Sequence, residues 1–230
     1  MILNVVLKMI LRSWWRNKVF FLVSVASLAL GLACTNLLMT YFVHEYGLEG
    51  RNPDRDRMFF LRQDDPMTEG KRVAFAGAEI PPQLKQSYAE VEDFLRLGKL
   101  DLLYCKVNEQ KVEGDFKMLS ADTTLTNFFD YRSEEGSLSQ VLCQPGKVAL
   151  SEACARRLFG GKQAVGKQVE AHFRFGEVRT YEVAAVLKER EQSLLQFDML
   201  IAHDPDFFWG GLTLLKLTPG TDSGHLAWIK

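Results

Sequence analysis

The chain has 230 residues, is 47% hydrophobic and 25% charged, and carries a formal net charge of −1. That balance is globular, with no basic or acidic excess to suggest nucleic acid or a strongly charged partner. Four cysteines are too few for a disulfide framework in a protein of this size.

The mean hydropathy of −0.08 averages two unlike parts. Over Leu3 to Trp15, Leu3, Leu7, Ile10, Leu11 and Trp14 share one helical face, with Lys8, Arg12 and Arg16 elsewhere. Such spacing predicts an amphipathic helix on the cytoplasmic membrane surface; a plain basic flank is the alternative. Val19 to Val43 contains no Asp, Glu, Lys or Arg. As a helix it rises roughly 37 Å, enough to span a hydrocarbon core of about 30 Å with some tilt. Lys8, Arg12, Arg16 and Lys18 precede the run with no acidic residue, and Glu45 and Glu49 follow it before Arg51. The positive-inside rule therefore places the N-terminus in the cytoplasm and the bulk of the chain outside. The expected organisation is a cytoplasmic basic segment 1–18, a transmembrane helix 19–44 and an extracytoplasmic domain 45–230. The run is longer than the core of a cleaved signal peptide. Cys34 lacks the branched apolar residue that an acylation box wants at Gly31, so both processing readings are set aside.

Inside the span, Ser27, Gly31 and Thr35 recur every four residues. Small residues at that spacing make a face on which another helix packs, although small residues are also common in such helices. Beyond a turn-rich link (Gly47 to Asp56), the patterns predict strands at Arg57–Arg62, Val91–Lys99, Asp101–Asn108 and Gln110–Leu119, with a tight turn near Glu109. A helix starts at Ile80-Pro81-Pro82, proline being allowed in the first turn, and runs to Tyr88. Asp122 to Phe129 reads as a short helix capped by Asp122. Val148 to Leu150 is a strand running into a helix from Ser151 to Phe159, with Ser151 as N-cap and Gly160-Gly161 as a left-handed stop. Gln168–Phe175 and Arg179–Lys188 form a hairpin around Gly176-Glu177. Phe197–Ala202 and Leu212–Leu217 are further strands, and Thr221 onward could begin a helix. The mixed order predicts an α+β fold.

No catalytic, cofactor or metal site is expected. Gly161 to Lys167 nearly spells a phosphate-binding loop, but Gln168 stands where a hydroxyl should bind Mg²⁺. The segment also joins a helix to a strand, the reverse of the order a phosphate loop needs. His44, His172, His203 and His225 are scattered without ligand spacing, and Ser151 lacks a nucleophile-elbow setting. Asp64-Asp65 and Glu134-Glu135 read as solvated turns. Cys105, Cys143 and Cys154 permit one disulfide at most, or none if the thiols are buried and free.

Several stretches resemble the MacB-like/FtsX-like ABC transporter permease family. Leu7 to Ser13 with Trp15 to Lys18 is similar to that family's basic opening, and Ala29 to Ala33 and Asp56 to Phe59 follow in order. Val148 to Glu152, Leu158 to Gly160, Val165 to Lys167, Tyr181 to Leu187 and Gly211 to Gly220 are similar to the MacB-like periplasmic core. The resemblance implies a two-subdomain extracytoplasmic domain inserted between the first two membrane helices. It also implies a permease that transmits the motion of a cytoplasmic ABC ATPase to a periplasmic client or adaptor, without catalysis of its own. Leu3 to Lys18 would then lie near the ATPase and membrane lipid. The Ser27/Gly31/Thr35 face would pack on sister helices, from a second copy or a sister permease. Family members have further membrane helices after this domain, so the chain is expected to be a fragment of a longer permease, a truncation or a degenerate product. It also lacks the family's acidic-aromatic-His run at Gly47 to Asn52. The competing readings are a single-span extracytoplasmic sensor or binding module and a membrane-tethered envelope enzyme.

Overall fold

The computed structural model describes residues 18–47, 52–64, 72–161, 163–188, 195–204 and 210–221. The chain forms two units, Met1–Gly50 and Arg51–Lys230. The first contains α1 (Lys18–Gly47). From Lys18 to Val43 the mean hydropathy is 2.0, none of it buried, so the helix is long and apolar enough to cross a membrane. Exposed Phe20, Leu22, Leu30, Leu37 and Phe42 make it apolar on every side, the pattern of a helix surrounded by lipid or by other apolar helices. The amphipathic segment expected before Lys18, and the helix expected after Thr221, lie outside the described residues.

The second unit follows the order β1 (Met58–Phe60), β2 (Gln63–Asp64), β3 (Arg72–Val73), β4 (Ala76–Gly77), α2 (Ile80–Ser87), β5 (Val91–Val107), β6 (Gln110–Glu113), β7 (Lys117–Ala121), α3 (Leu125–Phe128), β8 (Ser133–Gly136), α4 (Leu138–Cys143), β9 (Lys147–Ser151), α5 (Glu152–Phe159), β10 (Gln168–Phe173), β11 (Val178–Leu187), β12 (Met199–Ala202) and β13 (Gly210–Leu217). Parallel pairs (β9 with β11, β7 with β12) stand among antiparallel ones, giving the mixed α+β fold that the sequence predicts.

The pairings run β5–β10–β11–β9–β12–β7 and return from β7 to β5, so these six strands close a ring. Alternation along its strands separates two cores. Val148 and Leu150 of β9 and Met199 and Ile201 of β12 enter one cluster, with Cys154, Ala155, Leu158 and Phe159 from α5. Ala149 and Leu200 enter the other, with Leu125 and Phe128 of α3 and Leu138, Val141 and Leu142 of α4. Burying each large side chain contributes about 1.5–3 kcal/mol.

β5 is one continuous strand where two were expected. Its first half pairs with β13 and its second half with β10, so it joins the β1–β13–β5 meander to the ring. Tyr104 pairs with His172 and Leu102 with Phe173, leaving Leu103 as the extra residue of a bulge. The bulge inverts the side-chain parity, so that Leu100 and Leu102 before it and Cys105 and Val107 after it meet the same core. The turn near Glu109 is a two-residue hairpin with Asn108 and Glu109 both at positive φ. The expected strand 110–119 divides into β6 and β7.

The N-cap of α5 forms as expected, Cys154 N–H donating to Ser151 Oγ (3.2 Å), and Gly160 ends the helix at φ 64°. The β10–β11 hairpin also forms around Gly176. Asp122 departs from expectation: α3 starts only at Leu125, with Thr124 at its cap and no side-chain cap bond. The Asp122 carboxylate is held by Arg96 instead. β8 and α4 were not expected. At Gly136 (φ 72°) a Cβ would lie 2.0 Å from Ala184 O, so only glycine fits β8 against β11 there.

Candidate functional site

The residues expected to pack against other helices all lie on α1. Thr35 Oγ1 donates to Gly31 O (2.8 Å) and Ser27 Oγ to Val23 O (2.9 Å). Both hydroxyls are thus satisfied within their own helix, and the stripe offers a low surface that demands no polar partner. A Cβ at Gly31 would meet nothing within 4 Å, so its own unit imposes no need for glycine. Lys18 is the first residue of α1 and is exposed; Lys8, Arg12 and Arg16 lie outside the described residues.

Where the chain enters the second unit, the structure assembles a group that no sequence motif marked. Asn52 Nδ2 donates to Phe128 O (2.6 Å), and its Oδ1 accepts from Asp54 N–H (3.0 Å), fixing the turn. The Asp54 carboxylate meets two cations, Arg57 in its own segment and Lys216 Nζ of β13 (2.5 Å). Arg57 Nη1 donates both to Glu92 Oε2 of β5 (2.5 Å) and to Leu217 O of β13 (2.6 Å). Lys216 completes the circle through Glu92 Oε1 (3.6 Å) and Asn127 O (3.3 Å). Hydrogen bonds from Lys216 and then Arg57 hold the Asp54 carboxyl below its ordinary range. The Lys216 side chain is only 9% exposed, so its ammonium depends on these partners. The four residues are up to 162 positions apart; the Asn52-Pro53-Asp54 turn was the only local signal.

Two further groups brace the neighbouring strands. Asp93 accepts from Lys85 Nζ (2.8 Å), Asn127 Nδ2 (2.9 Å) and Phe94 N–H (3.0 Å). Burial pushes the Asp93 carboxyl up, but the bonds from Lys85, Asn127 and Phe94 together outweigh it and leave it lowered. Arg96 grips Asp122 with Nε (2.9 Å) and Nη2 (2.7 Å), while its Nη1 donates to Ala78 O (2.9 Å).

The apparent phosphate loop has its backbone committed elsewhere: Gly166 N–H donates to Val183 O (2.8 Å) and Lys167 N–H to Ala164 O (3.1 Å). Lys167 Nζ lies over the Phe159 ring, 4.8 Å from its centroid. His172 stacks on Tyr104 and bonds Glu170, and Ser151 is spent on capping. The four cysteines are free thiols, Cys105 and Cys154 buried, Cys34 and Cys143 exposed. Among the described residues no group of three or more His, Cys, Asp or Glu side chains converges to hold a metal.

Comparison with solved structures places the fold. A domain described as part of a permease protein from Porphyromonas gingivalis superposes with a TM-score of 0.61 at 19% identity, over 76% of this chain and 78% of that one. The periplasmic region of MacB from Actinobacillus actinomycetemcomitans gives 0.54 at 11% identity, over 79% and 81%. The extracellular domain of the noncanonic ABC-type transporter YknZ from Gram-positive bacteria gives 0.53 at 16% identity, over 71% and 83%. No curated protein matches the sequence. Residues 21–224 match the MacB-like periplasmic core domain family, from within the apolar helix to beyond the last strand. By that match the chain belongs to the MacB-like periplasmic core domain family of ABC transporter permeases.

Proposed function

We propose that the chain is the N-terminal portion of an ABC transporter permease subunit, coupling cytoplasmic ATP hydrolysis to movement of its extracytoplasmic domain. The work so delivered would serve efflux, lipoprotein release or control of an envelope enzyme. One observation carries the reading: the segment that leads into the domain is bonded directly to its last strand, through Arg57 Nη1 and Leu217 O. The first and last strands of the domain therefore meet at one place, as a domain spliced between two membrane helices requires. In this reading the domain lies outside the cytoplasm, the ATPase is a separate subunit, and the Ser27/Gly31/Thr35 face packs on helices of a second copy or sister permease. The domain contributes surfaces and stiffness, not chemistry.

The test is recovery of the native protein from detergent-solubilised membranes with an antibody against the outer domain. An ABC ATPase in the purified assembly, lost when the detergent extract is denatured, supports the coupling role. A protein recovered with no ATPase overturns it and favours a membrane-anchored sensor or binding module.

A further inference from the structure

The ring of charges at the lead-in is built so that it can open without stranding a charge. In the observed arrangement Asp54 and Glu92 each stand between the same two cations, Arg57 and Lys216. Two of these groups, Asp54 and Arg57, belong to the lead-in segment and touch each other; the other two belong to neighbouring strands of the domain body. Lys216 is the Cα partner of Asp93, next to Glu92, in the β13–β5 ladder. Glu92 therefore stays beside Lys216 wherever the lead-in goes.

We propose that Asp54, Arg57, Glu92 and Lys216 form a two-position charge clasp, which frees residues 52–57 from the last strand by handing Lys216 from Asp54 to Glu92. In the closed position Lys216 Nζ is 2.5 Å from Asp54 Oδ2 and 3.6 Å from Glu92 Oε1. Closing that second gap to the usual 2.7–2.9 Å takes a shift of about 1 Å. On opening, the lead-in leaves as a neutral Asp54–Arg57 pair and the body keeps a neutral Glu92–Lys216 pair, with Asn127 O still accepting from Lys216. A buried ammonium left alone would be costly; here no step of the exchange leaves it so. Opening breaks Asp54–Lys216, Arg57–Glu92, Arg57–Leu217 O and Asn52–Phe128 O. β1, still laddered to β13, limits the release to the residues before Met58. This deepens the coupling reading and rests on it for its purpose, since the lead-in is the segment a moving membrane helix would pull.

The experiment is hydrogen–deuterium exchange by mass spectrometry on the full chain in detergent micelles, reading the peptide that covers Asp54 to Arg57. Its reporters are the amides of Arg55 and Arg57, bonded to Asn52 O and Asp54 O in a turn that the body holds through the Asn52 and Asp54 side chains, so that releasing those two side chains also lets the turn fray. The β10–β11 hairpin serves as internal reference for the folded ring. Asp54→Asn removes the Asp54–Lys216 contact, which only the closed position has, and the Asp54–Arg57 contact, which both positions share, so it shifts the balance toward opening and is expected to raise lead-in exchange by about tenfold or more with the reference unchanged. Glu92→Gln removes one contact from each position and is expected to stay within about threefold of the unsubstituted protein. Equal opening by both substitutions would mean a static bridge, and no opening by Asp54→Asn would mean no clasp; either overturns the proposal. If Asp54→Asn also loosens the reference, the unsubstituted protein in about 1 M salt decides, where screening reaches about 3 Å. Lead-in exchange must then rise selectively, and failure to do so overturns the clasp. None of these outcomes depends on whether an ATPase co-purifies, so failure of the clasp and failure of the coupling reading are told apart.

Discussion

Asp122→Asn separates two uses of one carboxylate. As a helix cap, Asn serves as well as Asp, and the substitution would change stability by no more than a few tenths of a kcal/mol. The structure uses Asp122 otherwise. Its two oxygens accept from Nε and Nη2 of Arg96, and the Arg96 backbone N–H also donates to Oδ2 (2.9 Å). The side chains are 19% and 10% exposed, so the pair is largely removed from water. In Asn one acceptor becomes an NH₂ group facing guanidinium donors, and the negative charge is gone. Breaking a buried pair costs about 3–5 kcal/mol. The retained backbone N–H contact and the residual exposure of Arg96 bring the expected loss down to about 2–3 kcal/mol. Guanidinium unfolding of the full chain in detergent, followed by the β-sheet circular dichroism signal, reads this as a lower midpoint at unchanged slope. Because the residues form one unit, Arg96→Met combined with Asp122→Asn should cost clearly less than the sum of the two alone. A loss below about 0.5 kcal/mol for Asp122→Asn would refute the ion-pair argument and restore the cap.

Other expectations follow from the same coordinates. Asp93 has a folded-state pKa below its ordinary value of 3.8, so its contribution is fully present above that value and is lost as pH falls through the depressed one. Acid unfolding curves for Asp93→Asn should therefore lie below those of the unsubstituted protein near neutrality and converge with them below about pH 4; a constant gap down to pH 2 would contradict this. Burial pushes the Cys105 thiol from 9.0 up to about 12, which cuts its thiolate fraction by about a thousandfold. Iodoacetamide at pH 8 should label Cys143 and spare Cys105 and Cys154 in the native protein, and mass spectrometry showing equal labelling would count against the buried arrangement. On α1, Gly31→Leu has open space around it, so helix content should hold while the permease assembly dissociates in blue native electrophoresis. An unchanged assembly would remove Ser27, Gly31 and Thr35 from the packing face.

Local signals were readable wherever the controlling contact is close in sequence. Ser151 is three residues from the amide it caps, Gly160 directly follows its helix, and the β10–β11 turn is set by Gly176. The proline pair at 81–82 likewise opened α2 where expected. What was missed is long-range or too short to show a period. The strand β8, Ser133–Gly136, is exposed at every position and has no apolar alternation, and α4 has only six residues. The continuity of β5 was hidden where its buried face changes, from Leu95 and Leu97 in one core to Leu100 and Leu102 in the other, which mimics a break. Asp122, followed by two threonines and Leu125, looks like a cap; the partner that claims it is 26 residues upstream. The clasp was out of reach for the same reason, since nothing near Glu92 or Lys216 in sequence announces Asp54.

The strand that sequence reading divided is also the one that makes a mechanical role physically sensible. β5 has 17 residues, with Glu92 near its beginning and the Asn108–Glu109 turn just past its end. At about 3.3 Å per residue that is roughly 55 Å of continuous backbone. Along it, β13, β7, β10 and β6 are laddered in succession. A pull taken at Lys216 and Glu92 therefore acts on a member laddered to one strand or another along nearly all of its length, and to two at Leu97 and Tyr104–Lys106, and not on a loop that would absorb it. The closed ring adds resistance to shear, because displacing β5 relative to β10 also displaces it relative to β7, and the two are joined through β11, β9 and β12. Compliance is left to the lead-in, whose described bonds to the body through Asn52, Asp54 and Arg57 are made by side chains. A domain with these properties would move as a body when its lead-in is pulled.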